Sequence, residues 1–253
     1  MTAHTTEAVV LHAFDYLESS RIIKLLTRDL GLRSVLARGA RRSAKRFGAG
    51  VDLFVQGTAE LEIKPGRDLD TLTAFDLVRT RAEIGLDLAR FGGASAIAEL
   101  ILRFAQDDTD VDLYDVTVDT LDRIGGATAG DARDAAIAGA WRILATLGFE
   151  PQLAECSDCE RMVADDESVL FSHSSGGVVC ERCAPLARVG RVLPPGARSA
   201  LRAWLTGESA PALSEAEAKA HQRLLREFVR EHLDDGRPLK AFDAWETGAW
   251  TAA

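Results

Sequence analysis

The chain holds four cysteines and places them as two close pairs, Cys156-x-x-Cys159 and Cys180-x-x-Cys183, with residues 160 to 179 between them. Two Cys-x-x-Cys turns separated by about 15 to 20 residues can aim four thiolates at one point, which is the spacing that wraps a single tetrahedral zinc ion. Two disulfides or a thioredoxin-like redox pair would use the same residues, but neither accounts for both pairs falling in one hairpin-like module. Four thiolates close the coordination sphere and leave no position for a catalytic water, so the predicted zinc is structural. Between the pairs, Val169-Leu170-Phe171 reads as a short strand and His173 to Gly177 as a turn before Val178 and Val179, a zinc-ribbon pattern in which His173 is a spare, exposed turn residue.

A second chemistry-bearing group lies earlier. Arg33, Arg38, Arg41, Arg42, Lys45 and Arg46 fall between Leu32 and Val51 with no acid among them. Guanidinium and ammonium groups in such a run can follow a chain of phosphates. The whole chain carries a net charge of −9, which excludes a protein that coats nucleic acid with its entire surface, but residues 1–80 hold twelve basic against ten acidic groups and the remainder 18 against 29. Only the first part is suited to meet phosphate. Aromatic interleaving is thin: Phe54 and Phe75 are expected in strands and in the core, leaving Tyr16 and Phe47 as the surface rings. Binding is therefore expected to rest on charge and to be sensitive to salt.

The elements that must position these groups change character near Thr80. Ala8 to Phe14, Arg21 to Thr27, Leu32 to Ala37, Leu53 to Ile63 and Asp70 to Val78 read as five short strands, which suit a small closed barrel of the OB type or an SH3-like one. Beyond them the apolar period becomes helical, through Ile84 to Phe104 with a soft break at Gly92-Gly93, through Leu113 to Ile124, and through Ile137 to Leu147 with Gly148 as a C′ stop. Pro194-Pro195-Gly196 opens a further helix, and Ser214 with Glu217 forms a capping box for another that carries Leu224, Leu225, Phe228, Val229 and Leu233. The predicted fold is α+β: a nucleic-acid-binding barrel over 1–80, then a helical domain over 81–253 with the zinc module inserted at 151–187.

An enzyme is not expected, because the chain contains no Gly-x-x-x-x-Gly-Lys loop, Gly-x-Ser-x-Gly elbow or His-Glu-x-x-His motif, and its five histidines are scattered. The first residues lack the charged and apolar regions of a leader, and no apolar run approaches the length of a membrane span, so the expected location is cytoplasmic, without membrane contact.

Taken in order, Glu7 to Leu11, Tyr16, Glu18, Leu25 to Thr27, Gly31-Leu32, Gly39 to Arg42, Gly66 to Leu69, Thr71 to Thr73, Gly148 to Pro151 before the first cysteine pair and Gly176-Gly177 before the second resemble the RecO family of recombination mediators, in its zinc-bearing branch. The resemblance implies an N-terminal OB-fold and a function without covalent chemistry. Its elements are binding of single- and double-stranded DNA, annealing of complementary strands, and action with RecR on strands coated with single-strand-binding protein, whose C-terminal tail would meet the helical domain. Association with the nucleoid during repair follows from the same likeness. Because members without the cysteines exist, it also implies that the metal supports the fold. A zinc-ribbon adaptor or transcription regulator is the competing function. Arg223, Arg226 and Arg230 are candidate contacts for that tail, though a solvated helix face is the plainer reading. The stretch from Asp243 to Ala253 matches nothing in the resemblance and reads as a disordered tail.

Overall fold

The computed structural model describes residues 2–40, 47, 51–63, 66, 68–106, 108–128, 130–187, 190–233 and 236–248. They form two compact units, Met1–Gly126 and Ala127–Ala253.

In the first unit, strands β1 (Thr2–Tyr16), β2 (Ser20–Thr27), β3 (Gly31–Ala37), β4 (Gln56–Ile63) and β5 (Asp70–Arg79) close into a barrel in the order β1-β2-β3-β5-β4. All pairs are antiparallel except β3 with β5, the OB arrangement. Ala8, Val10, Ile23, Leu25, Val35, Ala37, Ala59, Leu61, Leu72 and Phe75 fill its interior. Burying such β-branched and aliphatic side chains contributes about 1.5–3 kcal/mol each, which is what holds the sheet closed.

Two expectations for this unit are corrected. Leu53 to Val55 does not belong to the fourth strand: Phe54 sits in a turn at φ +66° and is buried, with its N–H bonded to Val10 O at 2.8 Å. Phe47, expected at the surface, is 1% exposed and packs into the barrel core with Val51. A lone aromatic in a basic run is drawn inward by the area it can bury, whatever its neighbours' charge.

Helices α1 (Ala82–Gly85), α2 (Leu88–Phe104) and α3 (Val111–Gly126) complete the unit. Asp87 caps α2 by accepting the Arg90 N–H at 2.9 Å, and the helix runs unbroken through Gly92-Gly93, both buried. Arg81 is the internal strut. Its buried guanidinium donates to Asp122 of α3 at 2.7 Å, to Phe54 O at 2.7 Å and to Gln56 Oε1 at 3.1 Å, joining the barrel to the helices.

The second unit starts with α4 (Ala132–Thr146), which ends in a Schellman motif: Phe149 N–H reaches Leu144 O and Gly148 N–H reaches Ala145 O, with Gly148 at φ +90°. The cysteine module follows, with a sheet ordered β7 (Gly177–Val179), β6 (Val169–Ser172), β8 (Arg191–Leu193); β8 is a third strand that the sequence pattern did not announce. Then come α5 (Pro195–Leu205), α6 (Glu215–Leu233) and α7 (Lys240–Thr247). Trp141 of α4, Phe171 of β6 and Phe228 of α6 meet as one buried aromatic cluster, centroids 5.1 to 6.3 Å apart, and this cluster seats the module's sheet on the helices.

The chain's end corrects another expectation. Residues 240–247 are helical, and Phe242 and Trp245 are buried; residues 249–253 lie outside the described residues. Arg226 pairs with Glu246 at 2.8 Å and Arg230 with Asp243 at 3.0 Å, so two of the three arginines considered for a partner's tail also hold α7.

Candidate functional site

The cysteine ligands are set by backbone before any metal is considered. Ser157 N–H donates to Val178 O and Val178 N–H to Gln152 O, both at 2.8 Å, so the first knuckle is laced directly to β7. That approach depends on Gly177, where an added Cβ would come within 2.3 Å of Gln152 O. Each Cys-x-x-Cys then closes as a turn: Glu160 N–H bonds Cys156 O at 2.8 Å, and Cys183 N–H bonds Cys180 O at 2.9 Å.

The result is a compact thiol cluster. The four sulfurs lie within 4.8 Å of one another, and Cys159 Sγ is 3.8 Å from Cys180 Sγ. Four sulfurs at about 2.3 Å from a tetrahedral ion stand about 3.8 Å apart, so the cluster could hold a metal ion with little adjustment. Its electrostatics point the same way. Burial works against the Cys180 thiolate, but the Cys183 backbone and the Arg161 guanidinium outweigh it and bring that thiol down to about 6. Hydrogen bonding to Cys159 and burial push the Cys183 thiol up to about 12. Without a cation, neighbouring thiols cannot all ionise; a bound dication removes the conflict.

Two arginines stand against this cluster and were not found from sequence. Arg161 bonds Glu167 at 2.5 Å and reaches Cys180, and Arg182 reaches Cys159; these contacts raise both guanidinium pKa values. Four thiolates around a dication leave two negative charges in excess, which Arg161 and Arg182 are placed to offset.

His173 departs from its expected role. It is buried, not an exposed turn residue: its Nε2 lies 3.1 Å from Glu227 Oε2 on α6, and the same carboxylate is clasped by Arg191 of β8. Burial holds the imidazole below its ordinary pKa, and Arg191 holds the Glu227 carboxyl below its own. This tie, with the Trp141 cluster, fixes the module to α6.

Of the six basic residues singled out in the first unit, Arg33 and Arg38 are described, and Arg41, Arg42, Lys45 and Arg46 lie outside the described residues. Arg33 lies within β3, and Arg38 just beyond its end. Arg33 has the inward parity of Val35 and Ala37 and donates its Nε to Leu30 O at 2.9 Å, whereas Arg38 is exposed just beyond the strand. They stand five positions apart in sequence, about 17 Å along extended chain. Ala40 packs on the barrel core at one side of the run, and Phe47 and Val51 enter it at the other.

A family model described as Recombination protein O N terminal matches residues 1–81, and one described as Recombination protein O C terminal matches residues 85–241. The chain belongs to the recombination protein O family. Relatives named DNA repair protein RecO include that of Anaeromyxobacter sp. (strain K), 37% identical over 241 residues and 92% of each chain. Another is that of Gloeobacter violaceus, 32% identical over 227 residues, 88% of this chain and 85% of the relative. That of Myxococcus xanthus is 31% identical over 244 residues, 96% of this chain and 97% of the relative. The match to the RecO family therefore spans both the barrel and the cysteine module. Among the described residues no helix is long and apolar enough to cross a membrane.

Proposed function

We propose that this chain is a DNA repair mediator that binds single- and double-stranded DNA, anneals complementary single strands, and acts with RecR to load recombinase onto strands coated with single-strand-binding protein. The observation that carries this reading is a closed OB barrel whose β3–β4 connection holds the acid-free run of Arg38, Arg41, Arg42, Lys45 and Arg46, in a chain of the RecO family. Residues 1–80 supply DNA contact, with Arg33 at the margin because its guanidinium is turned toward its own backbone. In this reading the helices of residues 81–253, with the metal module at 151–187, carry the partner surfaces for RecR and for the tail of single-strand-binding protein.

The metal in this reading is one zinc ion held by Cys156, Cys159, Cys180 and Cys183. Four sulfur donors with no open position suit zinc in a structural role, where it supplies folding energy and no reaction step. A cytoplasmic location, with nucleoid association during repair, keeps those thiols reduced.

The test is annealing of complementary strands coated with single-strand-binding protein, with and without Arg41→Glu plus Arg42→Glu. The mediator reading expects annealing by the natural chain and its loss in the reversed variant at unchanged zinc content. A chain that retains a protein partner but ignores DNA would instead be an adaptor.

A further inference from the structure

Helix α5 starts without a cap. Pro194, at the N-cap position, has no side-chain oxygen and Pro195 has no N–H, so the first backbone group to bond back is Arg198 N–H, to Pro194 O at 3.0 Å. Among the described residues nothing accepts the N–H groups of Gly196 and Ala197. Gly196 also faces open space, with nothing within 4 Å of the point a Cβ would take. A cleft of about 560 Å³ runs along the helix from this end, lined by Gly196, Arg198, Ser199 and Arg202, by Asp165 of the turn at 164–167, and at its far end by Glu208.

Arg198 is a second and independent sign of a ligand. It is 1% exposed although it lines the cleft. Its Nη2 donates to Ala164 O, which also accepts the Glu167 N–H at 3.0 Å, but its Nη1 is buried with no partner. The acids around it are engaged elsewhere. Glu167 is bonded to Arg161 at 2.5 Å, and Asp165, whose side chain is 89% exposed, pairs with Arg202 at 2.8 Å. A guanidinium taken out of water with part of its donor fork unused is costly unless an acceptor answers it.

We propose that this cleft takes a small phosphate monoester, its dianion seated between the start of α5 and Arg198 and the rest of the molecule running toward Glu208. An uncapped helix start offers free N–H groups and the positive end of the helix dipole to an anion. Arg198 adds a planar fork that matches phosphate oxygens, and the Ser199 hydroxyl adds a further donor. A carboxylate brings two oxygens to these donors, whereas a phosphate monoester brings three. The cleft is within the range of about 300–1,000 Å³ that small-molecule sites occupy, so a bare ion would leave most of it empty. Exposed Glu208 can only accept, which calls for hydroxyl or amino donors on the remainder of the ligand, as in a nucleoside monophosphate. The site lies wholly in the second unit and goes beyond the DNA contact proposed for the barrel.

The experiment is isothermal titration of the zinc-loaded full chain with adenosine monophosphate, adenosine and inorganic phosphate. The monophosphate is expected to bind, inorganic phosphate to bind about tenfold more weakly, and adenosine to give no heat of binding. Gly196→Glu places a carboxylate in the open space, where the helix start itself favours one, so the chain should fold and carry zinc while its affinity for the monophosphate falls at least about tenfold. Gly196→Gln, of the same size without the charge, should stay within about threefold of the natural chain. Arg198→Met should also lose the monophosphate; if it unfolds, Gly196→Glu decides alone. No binding of monophosphate or phosphate, equal binding of adenosine and its monophosphate, or a Gly196→Glu chain that binds like the natural one would overturn the proposal. Phosphate and monophosphate binding equally, both lost in Gly196→Glu, would uphold the anion seat and overturn the role given to Glu208. Oligo-dT affinity should be the same in all these variants, so failure here leaves the mediator reading standing.

Discussion

In the cysteine module, each ligand sits on backbone that is hydrogen-bonded to its neighbour, so four side chains are placed within 4.8 Å by main-chain geometry. At the basic run between β3 and β4 the described constraint is of another kind: apolar Ala40, Phe47 and Val51 hold to the barrel core, and in sequence Arg41, Arg42, Lys45 and Arg46 fall between Ala40 and Phe47. The contrast follows from what each ligand demands. A metal ion requires donors placed to tenths of an ångström, whereas a phosphate chain requires only positive charge within reach. Geometry is spent where chemistry needs it.

The largest expected break in that comparison is at the metal. Cys156→Ala should abolish zinc binding, measured as zinc per chain, and unfold the module in a thermal melt, since structural zinc is worth an apparent 10–16 kcal/mol in small peptides. Affinity for short single strands should stay within about twofold, because the DNA contacts proposed here are all in the first unit. A variant that still carries one zinc would contradict the four-cysteine site.

Acid provides a smaller break, confined to the second unit. Burial against Trp204 holds His221 at about 4, below the ordinary 6.5. The unfolded chain therefore binds this proton at higher pH than the native one, and stability falls as pH drops from 6.5 toward 4, by about 3 kcal/mol from this residue. His173, also held low by burial, acts in the same direction. His221→Phe should flatten that part of the profile in urea titrations at pH 7 and pH 4.5; comparison with the natural chain cancels the contribution of the thiolates. An unchanged profile would mean that His221 is hydrated in the native state.

The smallest expected effect is at α7. Arg226→Ala removes a partly buried pair with Glu246 and should cost about 1 kcal/mol, read as a lower urea midpoint, with zinc content and DNA affinity unaltered. Impaired binding of a partner's tail without any loss of stability would instead return Arg226 to the interface.

The cysteine spacing made the thiol cluster legible because a knuckle is local: two residues between the cysteines fix the turn. The barrel strands were legible for the same reason, each carrying its own alternation. What sequence missed depends on partners far along the chain. Phe14 and Tyr16 point outward only because one extra residue at a β1 bulge between Val10 and His12 reverses parity, and nothing in Val10-Leu11-His12 marks it. His173 is buried by Glu227 and Arg191, and Arg81 by Phe54, Gln56 and Asp122. For α7 a signal was present: Phe242 and Trp245 are spaced i, i+3, one helical face.

The central claim is that positive charge on the barrel grips unpaired DNA independently of the metal, and the salt dependence of oligo-dT binding tests it most directly. With Arg38, Arg41, Arg42, Lys45 and Arg46 each neutralising one phosphate, the log-log slope should be about −3.5, close to a hundredfold weakening between 50 and 200 mM salt, and Arg41→Glu with Arg42→Glu should reduce it to about −2 at full zinc occupancy. A slope near zero in the natural chain, or one that the reversals leave untouched, would contradict the claim.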